Sequence, residues 1–277
     1  MQAFAAAVAR SAVSSLYAEL VLYPKPGLVS LVDNGSHTDM NAGTFFRSMF
    51  ALRRYFALIC QAGIDGAPFD RLKQLGIDAE ARMLRATNGI NTHRGAIFSL
   101  GMLCAASGRV AADGLPPAAA TLRAELLANW GDGLGAHTQA DGVLSNGLRV
   151  AKEHGANGAR EEGALGFPSV FEVGLPVLQA ALDAGRGVQR ARIDTLFALM
   201  AHMSDTNVYH RAGSAGAGMV RAHAQAFIDA GGTSNPGWYA MAVECHRLFV
   251  AHRISPGGAA DLLAATCLVH ALTECGQ

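Results

Sequence analysis

The stretch that most constrains this chain is Ala96 to Ala106, a helix-length segment that is apolar nearly all round. A helix without a polar face must be covered on every side, so the remaining chain has to wrap it. Just before it, Leu72, Leu75, Gly76, Ala79, Met83 and Ala86 recur at helical spacing and mark the buried face of another helix. Glu80 lies beside that face, aligned with Leu84 and Thr87, and points toward the polar turn Asn88-Gly89-Ile90-Asn91. Asn91 or Thr92 can cap the apolar helix. The N–H groups of His93, Arg94 and Gly95 then form a helix N-terminus suited to an anion, with two potentially cationic side chains attached. Gly95 would let a ligand approach the backbone. The plainer alternative has Thr92 as a cap only, His93 and Arg94 solvated, and Glu80 an exposed neighbour of the core.

Helical patterns follow one another along the chain near 2–21, 42–61, 68–86, 93–106, 117–129, 142–154, 168–184, 190–203, 214–230, 237–251 and 257–273. Pro- and Gly-rich punctuation separates them, as at Pro24-Lys25-Pro26-Gly27 and Gly131-Asp132-Gly133. Residues 29–32 could make a short strand, but four residues do not make a sheet. There is no repeat of 20–50 residues and no change of composition that marks a linker. The expectation is an all-α fold: a single multi-helix globular domain over 1–277 with a central buried helix.

With 51% hydrophobic and 16% charged residues, more apolar surface is present than one chain of 277 residues readily covers, so a homo-oligomer is expected. Zero net charge argues against nucleic acid or a membrane surface as partner, and restricts anion binding to local clusters. Five scattered cysteines without a CxxC pair fit a cytoplasmic, reducing setting and supply no zinc motif. No signal core is expected at the N-terminus, and no run approaches the ~18–20 apolar residues of a membrane span. There is no HExxH, no GxSxG and no phosphate-loop lysine.

Polar residues gather in a few knots between helices. Lys25, held between Pro24 and Pro26, is either a stiffly presented ammonium for a phosphate or a solvated turn lysine. His37 and Asp39 lie in Asn34-Gly-Ser-His-Thr-Asp-Met40, where Asp39 could cap the helix from 42 or bind a hydrated Mg²⁺. Residues 155–168 are too glycine-rich for a continuous helix and would display Arg160 and Glu162 on a loop. Asp205, Asn207, His210 and Arg211 crowd one short segment after an apolar helix. Ser255 and Pro256 read as the start of the last helix, with Asp261 a charged residue inside an otherwise apolar pattern.

Taken together, PKPGLVS (24–30), NGSHTDM (34–40), AEARMLRATNGINTHRGAIFSLG (79–101), GAREEGALGFPS (158–169), DTNVYHRAG (205–213) and SPGGAADLLA (255–264) resemble the triphosphoribosyl-dephospho-coenzyme A synthase family. The resemblance runs in order from Glu19 to Ala264. Ser30, where many members have Asp, and Glu161, where they have Gly, depart from the commonest pattern. The Ser30 form is more similar to the malonate decarboxylase branch.

The resemblance implies an all-helical fold, a need for Mg²⁺, and the substrates ATP and 3′-dephospho-coenzyme A. It also implies a product that passes to a transferase acting on an acyl carrier protein. The 2′-hydroxyl of dephospho-coenzyme A would displace adenine from the ATP ribose through an oxocarbenium-like transition state. On that reading Lys25, His37, Asn91, His93, Arg94, Asn207 and Arg211 hold phosphates or substrate, and Arg160 and Glu162 sit near the ribose or the second nucleotide. Asp39, Glu80 and Asp205 carry Mg²⁺, directly or through water. The general base is a carboxylate among Asp39, Glu80 and Glu162. Two alternatives stand beside it: another Mg²⁺-dependent helical ribosyl enzyme, such as an ADP-ribosyl hydrolase-like protein, or a non-catalytic nucleotide-binding assembly protein.

Overall fold

The computed structural model describes residues 1–139 and 159–274. Helices α1 (Gln2–Leu20), α2 (Ala42–Ile64), α3 (Phe69–Ala86), α4 (Arg94–Ala112) and α5 (Ala119–Gln139) form the first half. A short α6 (Ala159–Ala164), a π-helical turn (Ser169–Gly174), α7 (Leu175–Asp183) and α8 (Val188–His202) follow. The chain ends with α9 (Thr206–Asp229), a 3₁₀ turn (Gly232–Ser234), α10 (Trp238–Ala251) and α11 (Gly257–Glu274). The described residues contain no strand, and 29–32 are irregular, bending at 31–32. The helix expected at 142–154 lies outside the described residues.

Helix α4 is the centre. It packs on α2, α11, α5, α3, α1 and α6. Its length and composition would suffice to cross a membrane, contrary to the sequence expectation, yet 72% of it is buried inside this fold. The contact with α2 is close because glycines stand at the crossing. A Cβ on Gly63 would collide with the Ala105 carbonyl, and one on Gly108 with the Cys60 carbonyl. The Tyr55 hydroxyl donates to the Ile97 carbonyl at 2.9 Å and ties the same two helices together.

Other boundaries moved for identifiable reasons. Asn41, not Asp39, caps α2, in a reciprocal capping box with Thr44. Helix α9 begins at Thr206, and Gly213, at φ 62°, kinks it where the sequence suggested a start. The segment expected as one helix at 168–184 divides into the π-helical turn and α7. Part of the glycine-rich segment expected as loop winds into α6, which carries Arg160 and Glu162. Most of the buried apolar side chains join one cluster, while Leu178, Ala181 and Ala191 form a small separate one.

Candidate active site

A cleft of about 870 Å³ opens where the C-terminal end of α1, the 28–40 loop, α3, α6 and the N-termini of α4, α9 and α11 meet. From the loop come His37 and Asp39, from α3 Glu80, and from the start of α4 Asn91, His93 and Arg94. Helix α6 adds Arg160 and Glu162, and α9 adds Asp205, Asn207 and Arg211. His37 and Arg211, 174 positions apart, thus share one concavity.

Lys25 is the exception. It is 1% exposed and bonded through Nζ to Glu19 Oε1 at 2.5 Å. Glu19 lines the cleft, and Lys25 does not. Neither a solvated lysine nor a phosphate ligand fits that position; the Pro-Lys-Pro turn drives the side chain inward, where a buried charge has to be paired.

His93 and His37 are also not cations. His93 is 2% exposed, its Nδ1 lies 2.6 Å from the Ser48 hydroxyl, and burial followed by the Lys25 charge pushes its pKa down to about 3. His37 falls to about 4 through burial and then Arg211, against the pull of Asp39. Arg211 Nη2 donates to His37 Nδ1 at 3.1 Å, which makes that nitrogen the acceptor. Its Nε2–H then faces Ser255 Oγ at 2.8 Å, so Ser255 serves the histidine.

The helix N-termini are occupied from within. Asn91 Oδ1 accepts from the Arg94 N–H at 3.1 Å, and Met83 Sδ from the His93 N–H at 3.3 Å. Asp261 fills the space over Gly95, where a Cβ would overlap Oδ2, and its carboxyl accepts from the Ala96 N–H. The expected open anion site at the start of α4 therefore already holds a carboxyl of the protein. Asp205 caps two helices at once. It accepts from the N–H of Asn207 at 2.9 Å, Gly258 at 2.8 Å and Ala259 at 3.2 Å. Burial raises its pKa, and these backbone donors oppose the rise.

Glu80 pairs with Arg94 across the cleft wall, with both side chains partly exposed. Both Glu162 oxygens are engaged: Oε1 accepts from the Ser169 hydroxyl at 2.6 Å and Oε2 from its N–H at 3.2 Å. That carboxylate anchors the turn into the π-helical segment. Asp39 stays 58% exposed at its side chain, 3.6 Å from His37.

Residues 5–277 match the family model described as ATP:dephospho-CoA triphosphoribosyl transferase (CitG). The chain belongs to this family. A "probable 2-(5''-triphosphoribosyl)-3'-dephosphocoenzyme-A synthase" of Pseudomonas fluorescens (strain Pf0-1) is 40% identical over 270 residues, covering 96% of this chain and 91% of that protein. Proteins of the same description from Stutzerimonas stutzeri (strain A1501) and Acinetobacter calcoaceticus are 41% and 38% identical. The former alignment covers 95% of this chain and 90% of the relative, the latter 91% and 86%. No solved structure matches. Membership makes the chain a transferase, and the expected all-α fold is the one observed.

Set against the family's phosphate-rich chemistry, the charge of the cleft is unexpected. Among the described residues that line it, Glu19, Asp39, Glu80, Glu161, Glu162, Asp205 and Asp261 outnumber Lys73, Arg94, Arg160 and Arg211. Among the described residues no three His, Cys, Asp or Glu side chains are arranged to hold a metal ion directly, Asp39, Glu80 and Asp205 included. Sequence reasoning missed Glu19, Lys73 and His137. Lys73 and Arg160 both bear on His137, which burial and these two charges bring down to about 4. The Glu19 signal was a carboxylate on the apolar face of α1; Lys73 looks like any surface lysine of an amphipathic helix. The departure at Ser30 falls outside the cleft, where its hydroxyl accepts from the Val32 and Asp33 N–H groups.

Proposed function

We propose that the chain joins the triphosphoribosyl part of ATP to the 2′-hydroxyl of 3′-dephospho-coenzyme A and releases adenine. The observation that supports this most is the distribution of charge in the cleft. Arg211, beside His37 and Asn207, stands on α9, while Lys73 and Arg160 stand on α3 and α6. The carboxyls of Glu19 and Asp205 both bear on Asp261 where α1, α9 and α11 meet. Two phosphate-bearing substrates need two cationic stations, and an oxocarbenium-like ribose favours negative charge beside it. Arg211 and Asn207 hold the triphosphate; Lys73 and Arg160 hold the diphosphate of dephospho-coenzyme A. Neutral His37 accepts from Arg211 through Nδ1 and so orients it, with Nε2–H held on Ser255. Because the triphosphate is retained in the product, these contacts act by positioning.

Mg²⁺ suits this donor set. A triphosphate entering a cleft with more carboxylates than cations requires charge compensation, and Mg²⁺ needs only one or two carboxylates, with phosphates and water completing its shell. Of the three expected metal carboxylates, Asp39, beside His37, is the one exposed enough to hold it; Glu80 is engaged by Arg94, and Asp205 by backbone N–H groups. When bound, the ion would neutralise the phosphates and fix their orientation.

The reading extends to a malonate decarboxylase pathway, on the Ser30-containing loop, with the product passed to a transferase acting on an acyl carrier protein. A cytoplasmic homo-oligomer is part of the same proposal. Chromatographic measurement of adenine, with ATP and with or without dephospho-coenzyme A, tests it. Adenine should form only with both, alongside a product whose mass equals the sum of the two substrates less adenine. Adenine from ATP alone would indicate a hydrolase, and none at all an inert binding protein.

A further inference from the structure

We propose that Asp261 is the general base of the cleft, the carboxylate that accepts the 2′-hydroxyl proton as that oxygen attacks the ribose of ATP. The inference rests on the triphosphoribosyl-transfer reading given above.

The position of Asp261 is built by two helices. It lies one turn into α11 and reaches across to the first turn of α4, where Gly95 leaves room for Oδ2 and Ala96 donates its N–H. Any side chain at position 95 would displace the carboxyl, so this glycine serves Asp261 and not a ligand. Beside it on the same wall, Thr92 Oγ1 and the 2%-exposed His93 Nε2 have no hydrogen-bond partner in the protein. Buried polar atoms left open on a cleft wall are the groups a bound substrate would satisfy.

Four of the other cleft carboxyls are committed elsewhere. Glu19 has Lys25, Glu80 has Arg94, Glu162 has Ser169, and Asp205 has three backbone N–H groups. Asp39 is exposed toward solvent. Asp261 forms no ion pair among the described residues. The charges that bear on it are Glu19 from α1 and Asp205 from the start of α9, with the Ala96 N–H from α4 opposing them. Burial and these two neighbours raise its proton affinity well above that of an ordinary aspartate, and a carboxylate that holds a proton more tightly is a stronger general base.

In the step, the 2′ O–H bond breaks and its proton passes to the Asp261 carboxylate. The oxygen lone pair forms the bond to the ribose C1, and the C1–N9 bond breaks with its electron pair leaving on adenine. Adenine takes up a proton from solvent water, and Asp261 returns its own to solvent before the next turnover. Negative charge from Glu19 and Asp205 sits on the side where the ribose becomes cationic, so the floor stabilises the same transition state.

The test measures adenine formation by wild type, Asp261→Asn, Asp261→Ala with and without sodium formate, and Gly95→Ala. Removing a positioned base should lower kcat by ~10²–10⁴-fold, with the KM for ATP unchanged within about threefold, since the base does not bind the triphosphate. Formate should restore part of the Asp261→Ala rate and none of the Gly95→Ala rate, because there the new Cβ occupies the space. Rescue by a free carboxylate is not expected of a residue that only supports the fold. Gly95→Ala probes the contact from the other helix, so the outcome does not hang on one folded variant. Active wild type with Asp261→Asn at a similar kcat overturns the role of Asp261 alone. So does an Asp261→Ala variant that has lost ATP binding and ignores formate. A wild type that releases no adenine overturns the reading of the cleft, and the base with it.

Discussion

Acidification from pH 7 to 5 should expose the neutral state of His93. The buried ring has a pKa near 3 against 6.5 for a free side chain, so below 6.5 the unfolded chain binds a proton that the folded one refuses. Stability from this group is complete above pH 6.5 and is lost as pH falls toward 3. One pH unit corresponds to about 1.4 kcal/mol, so His93 alone removes roughly 2 kcal/mol between pH 6.5 and 5. That is a sizeable share of the ~5–15 kcal/mol that holds most domains folded. Urea unfolding at half-unit pH steps, followed by Trp130 and Trp238 fluorescence, measures the slope. His93→Gln keeps a polar group near Ser48 but cannot take up the proton. Its absolute stability will differ from wild type, so the comparison is between slopes. The wild-type curve should fall more steeply than the variant's by about 1.4 kcal/mol per unit below pH 6.5. Parallel curves would mean that the folded ring protonates normally, and would restore a cationic, phosphate-binding His93.

Asp205→Ala uncaps α9 and α11 together. At ~1 kcal/mol per cap, plus the cost of leaving buried N–H groups unpaired, it should lower stability by about 2–4 kcal/mol; unchanged melting with Mg²⁺-dependent loss of activity would reinstate it as a metal ligand. Arg160→Ala should raise the KM for dephospho-coenzyme A and Arg211→Ala that for ATP, by about tenfold each; both acting on the same substrate would remove the two-station arrangement. Asp39→Asn should raise the Mg²⁺ concentration needed for half-maximal rate, with excess Mg²⁺ recovering part of the loss by mass action. A purely proportional loss at every Mg²⁺ concentration would exclude Asp39 from the ion.

The fold was legible because its signals are local and repeated. The apolar run from Ala96 could only be a covered helix, and α4 is the helix around which the others pack. Convergence of the polar knots was legible in the same way: segments between buried helices project from a common face, and His37, Glu80, Arg94 and Arg211 do share one cleft. What escaped was the state of each group. Residue type suggests that Lys25 and His93 are cations, but burial decides otherwise for the histidine and couples the lysine to Glu19. Asp261 looked like an anomaly in an apolar helix because its partner, the α4 N-terminus, lies 165 positions earlier (Ala96 to Asp261). No periodicity reports such a contact.

The acidic floor makes physical sense only if the substrates are sorted along the cleft. Placed against Glu19, Asp205 and Asp261, a triphosphate would meet like charge where burial weakens screening, and such repulsion grows as the local dielectric falls. The same carboxyls favour a ribose that gains positive charge as adenine departs. On the proposed reading, phosphates would then be driven toward Arg211 on α9 or toward Lys73 and Arg160 on α3 and α6, with the reacting carbon beside the acid. Repulsion at the floor and attraction at the cationic side chains would then enforce a single orientation for each nucleotide. Charge reversal at the floor, as in Asp261→Lys, should thus permit binding of ATP in the wrong sense. It should tighten the Kd for ATP while adenine formation is lost, measured by calorimetry and by the release assay on one preparation. Weaker ATP binding in that variant would show that the floor does not repel phosphate, and the sorting argument would be wrong.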